Sequence, residues 1–170
     1  MRSIRLLICA LVPMAAVAVL AAEPAKADGD VALKTVKWPE LDKAIASHRG
    51  KVVVMDVWAD FCIPCKREFH HLVELHQKHA KDGLDCLSLT VDDKDDAEKS
   101  LAFLKKQKAT FGNYLVDEPI EVWTKRLAIS GPPAVLVYDR SGKKVKTFTS
   151  EDPFTYADVE KLVVPLLKQK

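Results

Sequence analysis

Short apolar runs alternate with longer amphipathic stretches along this chain, a pattern typical of an α/β protein. Residues 52–58 are nearly all apolar, as expected of a central strand that is covered on both faces. Further apolar runs predict strands around residues 32–36, 86–91, 113–116 and 134–138, and residues 144–148 return as a hairpin partner of the last one.

Amphipathic stretches separate the predicted strands. They predict helices over residues 39–48, 62–80, 95–108 and 118–127, and a final helix that begins near residue 155. The inward stripe of the second helix consists of Phe69, Leu72, Val73, Leu75 and His76.

Two helices carry additional local signals. Val122 and Trp123 are expected to face inward from the fourth helix. In the last helix, Thr155 and Asp158 have the spacing of a capping box, and Pro165 is expected to end or kink it. Strands that alternate with helices and end in a hairpin predict an α/β fold with a mixed central β-sheet and helices on both faces.

The first residues have the features of a secretory signal. Arg2 and Arg5 precede an apolar stretch, and small residues allow cleavage after Ala21 or Ala27. An uncleaved membrane anchor is the alternative, which Pro13 and the marginal length disfavour. We therefore predict a signal peptide over residues 1–27, a single domain over residues 28–170, and an exported protein of the periplasm or another extracytoplasmic space.

Charge gives no indication of a nucleic-acid partner. The formal net charge of the 170-residue chain is +2. Arg2, Arg5 and Lys26 against Glu23 account for all of it, so the predicted mature domain is close to neutral. A neutral domain lacks the basic surface that attracts phosphate backbones, and we expect no nucleic-acid binding.

The most informative motif is Cys62-Ile63-Pro64-Cys65, directly after the strand at residues 52–58. This spacing places Cys62 at a helix start, where the helix dipole and an S–H from Cys65 favour the thiolate. The implied reaction is thiol–disulfide exchange, in which Cys62 attacks and Cys65 resolves the mixed disulfide. Cys86 lies in a strand-like run, and we expect it to be buried and inert rather than paired with another molecule.

Asp56 is the candidate acid–base group for this chemistry. Strand alternation places Asp56 and Trp58 on one face, and burial should raise the pKa of the Asp56 carboxyl group. Such a group can exchange a proton with the Cys65 thiol. The alternative is an aspartate that caps nearby backbone or pairs with a lysine. Trp58 and Phe61 are expected to wall the site.

A second motif, Gly131-Pro132-Pro133, precedes a strong predicted strand. A cis peptide bond before Pro133 would present the backbone of Pro132 beside the sulfurs, and an extended substrate would pair with it. A rigid trans turn is the alternative. The predicted substrate-binding residues are thus Trp58, Phe61, Ile63, Pro64, Pro132 and Pro133.

These motifs together resemble the thioredoxin superfamily. Residues 58–66 resemble its active-site motif, Asp56 stands at the position of its buried acid, and Gly131-Pro132-Pro133 resembles its Gly-x-cisPro loop. The signal, the helix and strand over residues 95–116, the turn at 139–143 and Glu68 are similar to the exported TlpA-like branch.

The resemblance implies a thioredoxin fold with an extra helix–strand insertion, and a protein thiol–disulfide oxidoreductase activity. It implies no cofactor beyond a redox-active Cys62–Cys65 disulfide. The expected partners are protein disulfides as substrates and a membrane or periplasmic dithiol donor, and the protein is expected to be a monomer. TlpA-like relatives act mostly as reductants of specific partner cysteines.

The chain departs from the superfamily pattern at four positions. His70 replaces a helix-kinking proline, so we expect a straighter helix. Ser88 replaces a buried lysine, so Asp56 lacks that partner and its pKa should rise further. Ile63 and Pro132 are unusual at their positions and affect the redox potential or the substrate specificity.

Three alternatives of function remain open. The first is a disulfide-forming oxidant of the same fold, and the second is a redox-silent binding module. The third is a metal site formed by Cys62, Cys65, His70, His71, His76 and His79. We predict no metal, because structural zinc sites use four ligands, no second Cys-x-x-Cys exists, and His70 and His71 should lie on different faces.

Overall fold

The computed structural model describes residues 31–169, so the predicted signal peptide and its cleavage sites lie outside the described residues. Six strands form one sheet in the order β1-β4-β3-β2-β5-β6. Strands β1, β4, β3 and β2 run parallel to one another. Strand β5 is antiparallel to β2, and β6 is antiparallel to β5. The strands are β1 (Lys34–Val36), β2 (Val52–Trp58), β3 (Leu84–Thr90), β4 (Gly112–Val116), β5 (Ala134–Tyr138) and β6 (Lys144–Thr149).

The helices connect these strands and cover both faces of the sheet, which confirms the predicted α/β architecture. They are α1 (Trp38–Ser47), α2 (Ile63–Glu68), α3 (His70–His79), α4 (Ala97–Gln107), α5 (Ile120–Leu127) and α6 (Tyr156–Leu167). Short 3₁₀ turns at Ala80–Asp82 and Lys94–Asp96 precede β3 and α4. Within residues 31–169, no helix is both long and apolar enough to cross a lipid bilayer.

Strand β2 separates two hydrophobic cores, because its successive side chains point to opposite faces. Val52, Val54 and Trp58 face the core formed with α2, α3, α4 and α6. Val53 and Met55 face the core formed with α1 and α5. All seven residues of β2 are buried, as the continuous apolar run predicts. Asp56 shares a face with Trp58 and therefore points toward the core under α2 and α6.

The predicted straight helix after the cysteines is wrong, since α2 and α3 are separate helices that meet at Phe69. Phe69 keeps helical angles (φ −56°, ψ −32°), but Leu72 N–H donates to the Phe69 carbonyl oxygen at 3.0 Å, which is a tighter i→i+3 turn. The break occurs without a proline. It lies at the fully buried Phe69, whose ring packs against those of Trp58 and Phe103. The predicted inward stripe is otherwise confirmed for Leu72, Val73 and Leu75.

The remaining differences concern helix ends and one side chain. In α5, Trp123 and Leu127 face the core four residues apart, and Val122 is exposed, so its predicted inward position is wrong. In α6, the Thr155–Asp158 capping box is confirmed. The helix continues past Pro165 to Leu167, because a proline interrupts the hydrogen bonds of the preceding turn and not those that follow it.

The buried aromatic cluster under α2 gives a stability prediction. Phe69→Ala should lower the free energy of unfolding by about 3–5 kcal/mol, because it removes a fully buried ring and leaves a cavity beside Trp58 and Phe103. Urea unfolding of the oxidised protein measures this loss. Phe61→Ala is the matched control, since Phe61 is 72% exposed and its loss should change stability by less than about 0.5 kcal/mol. Equal losses in the two variants would contradict the described packing.

Candidate active site

Cys62 and Cys65 form a disulfide at the start of α2. The S–S distance is 2.06 Å and the two Cα atoms are 5.3 Å apart. Cys62 occupies the N-cap position, as the sequence predicts, and its Sγ accepts a hydrogen bond from the Cys65 backbone N–H at 3.3 Å. An N–H that points at this sulfur stabilises negative charge on it when the pair is reduced.

A buried carboxylate holds the loop that precedes Cys62. The backbone N–H of Asp60 donates to both oxygens of Asp92, at 2.8 and 2.9 Å. Hydroxyl groups of Thr90 and Ser100 donate to the same carboxylate at 2.6 and 2.7 Å. Lys66 pairs with the Asp60 side chain at 2.6 Å and ties the loop to α2. The position of Cys62 is therefore fixed from β3, α4 and α2.

Sequence reasoning missed this role of Asp92, although a signal was present. Asp92 lies two residues after the end of β3, and β3 is the parallel neighbour of the strand that leads into the cysteines. The carboxyl ends of adjacent parallel strands meet at one edge of a sheet, so a polar residue just after β3 belongs beside the loop that follows β2.

The predicted wall residues take different positions. Trp58 is fully buried and packs on Phe69 and Phe103, at ring distances of 5.5 and 4.9 Å, so it supports the site from below. Phe61 and Ile63 are 72% and 79% exposed and flank Cys62 on the surface. Phe61 and Ile63 are therefore accessible to a docking molecule, whereas Trp58 exposes no surface for the direct contact that we predicted.

Asp56 lies beneath the cysteines and has a partner from the far end of the chain. Its side chain is 5% exposed, and the Tyr156 hydroxyl of α6 donates a hydrogen bond to its Oδ2. Burial raises the pKa of Asp56 to about 7, and the hydrogen bond from Tyr156 offsets part of that rise. The predicted upward direction is confirmed. Among residues 31–169, neither a lysine nor a backbone group is its hydrogen-bond partner, and Ser88, its neighbour on β3, donates instead to Asn113 at 2.8 Å.

The Pro132–Pro133 peptide bond is cis, which decides between the cis and trans alternatives, and Pro133 lies beside the site. A cavity of about 420 Å³ joins the catalytic candidates: Asp56, Cys65 and Pro133 all line it. Pro64 and Glu68 of α2 line one side and Phe154 and Tyr156 the other. The structure thus brings together Cys65, Asp56 and the cis-proline loop that the sequence placed far apart.

Cys86 is a free thiol in β3, and its predicted burial is confirmed. Burial, together with the negative charges of Asp85 and Asp56, raises its pKa well above the usual value. A protonated thiol without solvent access is a poor nucleophile, so the inert role of Cys86 stays the prediction.

The histidines form no common cluster with the cysteines. Among residues 31–169, the one group of three side chains spaced to hold a metal ion is His70, His71 and Glu74, which contains no cysteine. The expectation that His70 and His71 point to different faces is wrong, because their ring centroids are 3.9 Å apart. His79 is partly buried and pairs with Glu160 at 2.8 Å, so its ring has a partner within the protein.

Solved structures with the same fold carry thiol–disulfide names. A thiol-disulfide isomerase from Corynebacterium glutamicum superposes with a TM-score of 0.61 at 21% identity, covering 74% of this chain and 86% of that one. A thiol:disulfide interchange protein of the thioredoxin family from Chlorobium tepidum TLS superposes with a TM-score of 0.57 at 24% identity, covering 72% and 83%. These similarities establish the thioredoxin fold.

Sequence relatives agree with this fold. The chain is 27% identical over 107 residues to thiol-disulfide oxidoreductase ResA of Bacillus thuringiensis subsp. konkukian, covering 63% of this chain and 60% of the relative. It is 29% identical over 113 residues to ResA of Geobacillus thermodenitrificans, covering 64% and 62%. The chain thus spans about three fifths of these curated relatives. The AhpC/TSA family profile matches residues 26–148, and the chain belongs to the AhpC/TSA family, within the thioredoxin superfamily that its motifs resemble.

Proposed function

We propose that this protein is an extracytoplasmic thiol–disulfide oxidoreductase that reduces disulfides of specific partner proteins. The observation that carries the proposal is the Cys62–Cys65 disulfide at the start of α2, in one site with Asp56 and cis-Pro133. The ResA relatives bear the name of this activity. Export rests on the signal peptide predicted over residues 1–27, and the disulfide itself serves as the redox group without a further cofactor.

The first step uses the Cys62 thiolate. In the reduced protein, the Cys65 backbone N–H and the start of α2 stabilise negative charge on the Cys62 sulfur. This sulfur attacks one sulfur of the substrate disulfide. A bond from Cys62 to the substrate forms, the substrate S–S bond breaks, and the leaving thiolate takes a proton from solvent.

The second step uses Cys65 and Asp56. The Cys65 thiol transfers its proton to the Asp56 carboxylate, and the resulting thiolate attacks the Cys62 sulfur. The Cys62–Cys65 bond forms, the mixed disulfide breaks, and the second substrate thiolate leaves. The substrate disulfide has then gained the two electrons of the protein dithiol. A dithiol donor of the membrane or periplasm restores the reduced pair by the reverse exchange.

The surface around Cys62 supports a protein substrate. Phe61 and Ile63 expose apolar side chains on either side of the sulfur and suit an apolar segment of a partner. The cavity beside Cys65 is lined by Pro64 and Pro133, and Pro132 directly precedes Pro133. Prolines have no backbone N–H, so none of the three requires a hydrogen-bond acceptor at the site. An extended substrate segment is expected to pair with the backbone at Pro132, as a strand adds to a sheet.

The direction of electron flow separates the reductant from a disulfide-forming oxidant of the same fold. Equilibration of the Cys62–Cys65 pair with glutathione measures its reduction potential. We expect a low potential, closer to that of thioredoxin at about −270 mV than to that of DsbA at about −120 mV. A value near the DsbA figure would contradict the proposed direction and favour the oxidant.

Cysteine variants test the order of the two steps. Cys62→Ser should reduce insulin no faster than the uncatalysed reaction, because the attacking sulfur is lost. Cys65→Ser should accumulate a mixed disulfide with the substrate, visible on a non-reducing gel, because nothing resolves it. Cys86→Ser is the control and should keep wild-type turnover, since that thiol is buried. Insulin reduction by Cys62→Ser at the wild-type rate would overturn the proposal in favour of a redox-silent module or an unrelated activity.

The raised pKa of Asp56 predicts a pH-dependent stability difference. The unfolded carboxyl group ionises near 3.8 and the folded one near 7, so the folded protein binds more protons between these values and loses stability as the pH rises through them. Asp56→Asn removes this loss. Its free energy of unfolding relative to wild type should therefore increase between pH 4 and 7, by at most about 4 kcal/mol, and stay constant above.

Urea unfolding of the oxidised proteins across this pH range makes the measurement. Asp152→Asn is the matched control, because Asp152 is exposed and its replacement should give the same small difference at every pH. A difference for Asp56→Asn that does not change between pH 4 and 7 would contradict the raised pKa.

A further inference from the structure

Tyr156 is the one side chain whose hydroxyl group reaches the Asp56 carboxylate among residues 31–169. It is the first residue of α6 and lies 100 residues from Asp56 in sequence. The capping box at Thr155 and Asp158 fixes the start of this helix: the Thr155 N–H and hydroxyl donate to Asp158 at 3.1 and 2.7 Å. Val159 and Val163 anchor the helix in the core. The phenol is thus held in place by the fold and not by a flexible surface contact.

We propose that Tyr156 is a positioning residue for proton transfer between Cys65 and Asp56. The assignment rests on the proposed function, since it concerns the resolving step. The hydroxyl donates its hydrogen bond to Oδ2 of Asp56. The Oδ1 oxygen is then the one that accepts the thiol proton of Cys65. The S–H bond of Cys65 breaks and an O–H bond of Asp56 forms, while the Tyr156 hydroxyl keeps its own proton throughout.

A tyrosine suits this role because it is a neutral donor. Burial and the negative charge of Asp56 raise the pKa of Tyr156 well above the usual value, so the phenol remains protonated over the working range of the protein. A lysine would place a full charge beside the carboxylate and lower its pKa strongly. A single neutral hydrogen bond stabilises the carboxylate less, and Asp56 remains able to accept and return a proton near neutral pH.

Other titratable groups surround this pair and must be the same in every variant compared. Cys86 of β3 faces Asp56 from below, and β5 contributes only the apolar Val135. Arg67 and Glu68 of α2 line the same cavity as Asp56, and the His71 ring of α3 lies 5.8 Å from the Tyr156 ring. A change confined to the Tyr156 hydroxyl leaves all of them in place.

Stopped-flow reaction of the reduced protein with 5,5′-dithiobis(2-nitrobenzoate) separates the two steps. Attack by Cys62 releases the first thionitrobenzoate in a phase that depends on reagent concentration. Attack by Cys65 releases the second in a concentration-independent phase. In wild type, the second phase should accelerate with pH as Asp56 ionises. Tyr156→Phe should move the midpoint of that profile upward by roughly one pH unit, since the carboxylate loses its hydrogen bond. The first phase should change less than about twofold.

Two control variants show that the shift acts through Asp56. Tyr138→Phe removes a partly buried hydroxyl on the opposite face of the sheet and should leave both phases unchanged. In an Asp56→Asn background, Tyr156→Phe should no longer move the profile of the second phase. A Tyr156→Phe midpoint equal to that of wild type, or an equal shift with Asn at position 56, would overturn the assignment. A wild-type protein without a concentration-independent phase would overturn the exchange mechanism itself.

A second measurement avoids dependence on the folding of the phenylalanine variant. Full-length protein with 3-fluorotyrosine keeps the side-chain shape but carries a more acidic phenol, which is a stronger donor to the carboxylate. The midpoint of the second phase should move downward, and the shift should remain when Tyr138 is replaced by Phe. An unchanged midpoint would overturn the assignment.

Discussion

A carboxylate buried in the central strand is the constraint on which the rest of this site depends. Asp56 points into the core from β2, where ionisation without a partner is unfavourable. The fold answers this with one neutral hydrogen bond from Tyr156 and with a cavity that also contacts Cys65. The carboxyl group therefore stays close to the point of ionisation at neutral pH. This property suits the acid–base role that we propose for Asp56 beside Cys65.

The loop that carries Cys62 is held by a second buried carboxylate, that of Asp92, which has several hydrogen-bond donors where Asp56 has one. Asp92 accepts four hydrogen bonds, two from the Asp60 N–H and two from hydroxyl groups. These donors come from the loop, from β3 and from α4, so the Asp92 carboxylate serves as a fixed anchor for the loop. One of them, Ser100, comes from α4 in the helix–strand insertion, and Phe103 of the same helix packs on Trp58. The insertion thus supports the active-site loop as well as adding β4 to the sheet.

Much of the fold and the centre of the site could be predicted from local patterns. The apolar run predicts both ends of β2, and the Cys62-x-x-Cys65 spacing predicts the start of α2. The proline pair indicated a cis bond or a rigid trans turn, and only the structure decides between them. Periodicity was less reliable at Val122, where a one-residue rotation of a short helix decides which side chain faces inward. The break at Phe69 was also not predicted, because no proline marks it and the contact of the Phe69 ring with Phe103 of α4 joins residues that are far apart in sequence.

Tyr156 could not have been found in this way, because it lies in α6, its partner Asp56 lies in β2, and no spacing in the sequence connects them. A periodic pattern shows which face of its own helix or strand a residue occupies. The contact of Asp56 with α6 depends instead on how two separate elements pack against each other. Asp92 was an intermediate case, since its place after β3 follows from parallel pairing once the strand order is known.

The buried position of Cys86 limits which sulfur atoms of residues 31–169 can react with other molecules. Among residues 31–169, Cys86 is the one thiol outside the Cys62–Cys65 pair, and its enclosure in the core shields it from forming a wrong disulfide or a covalent dimer.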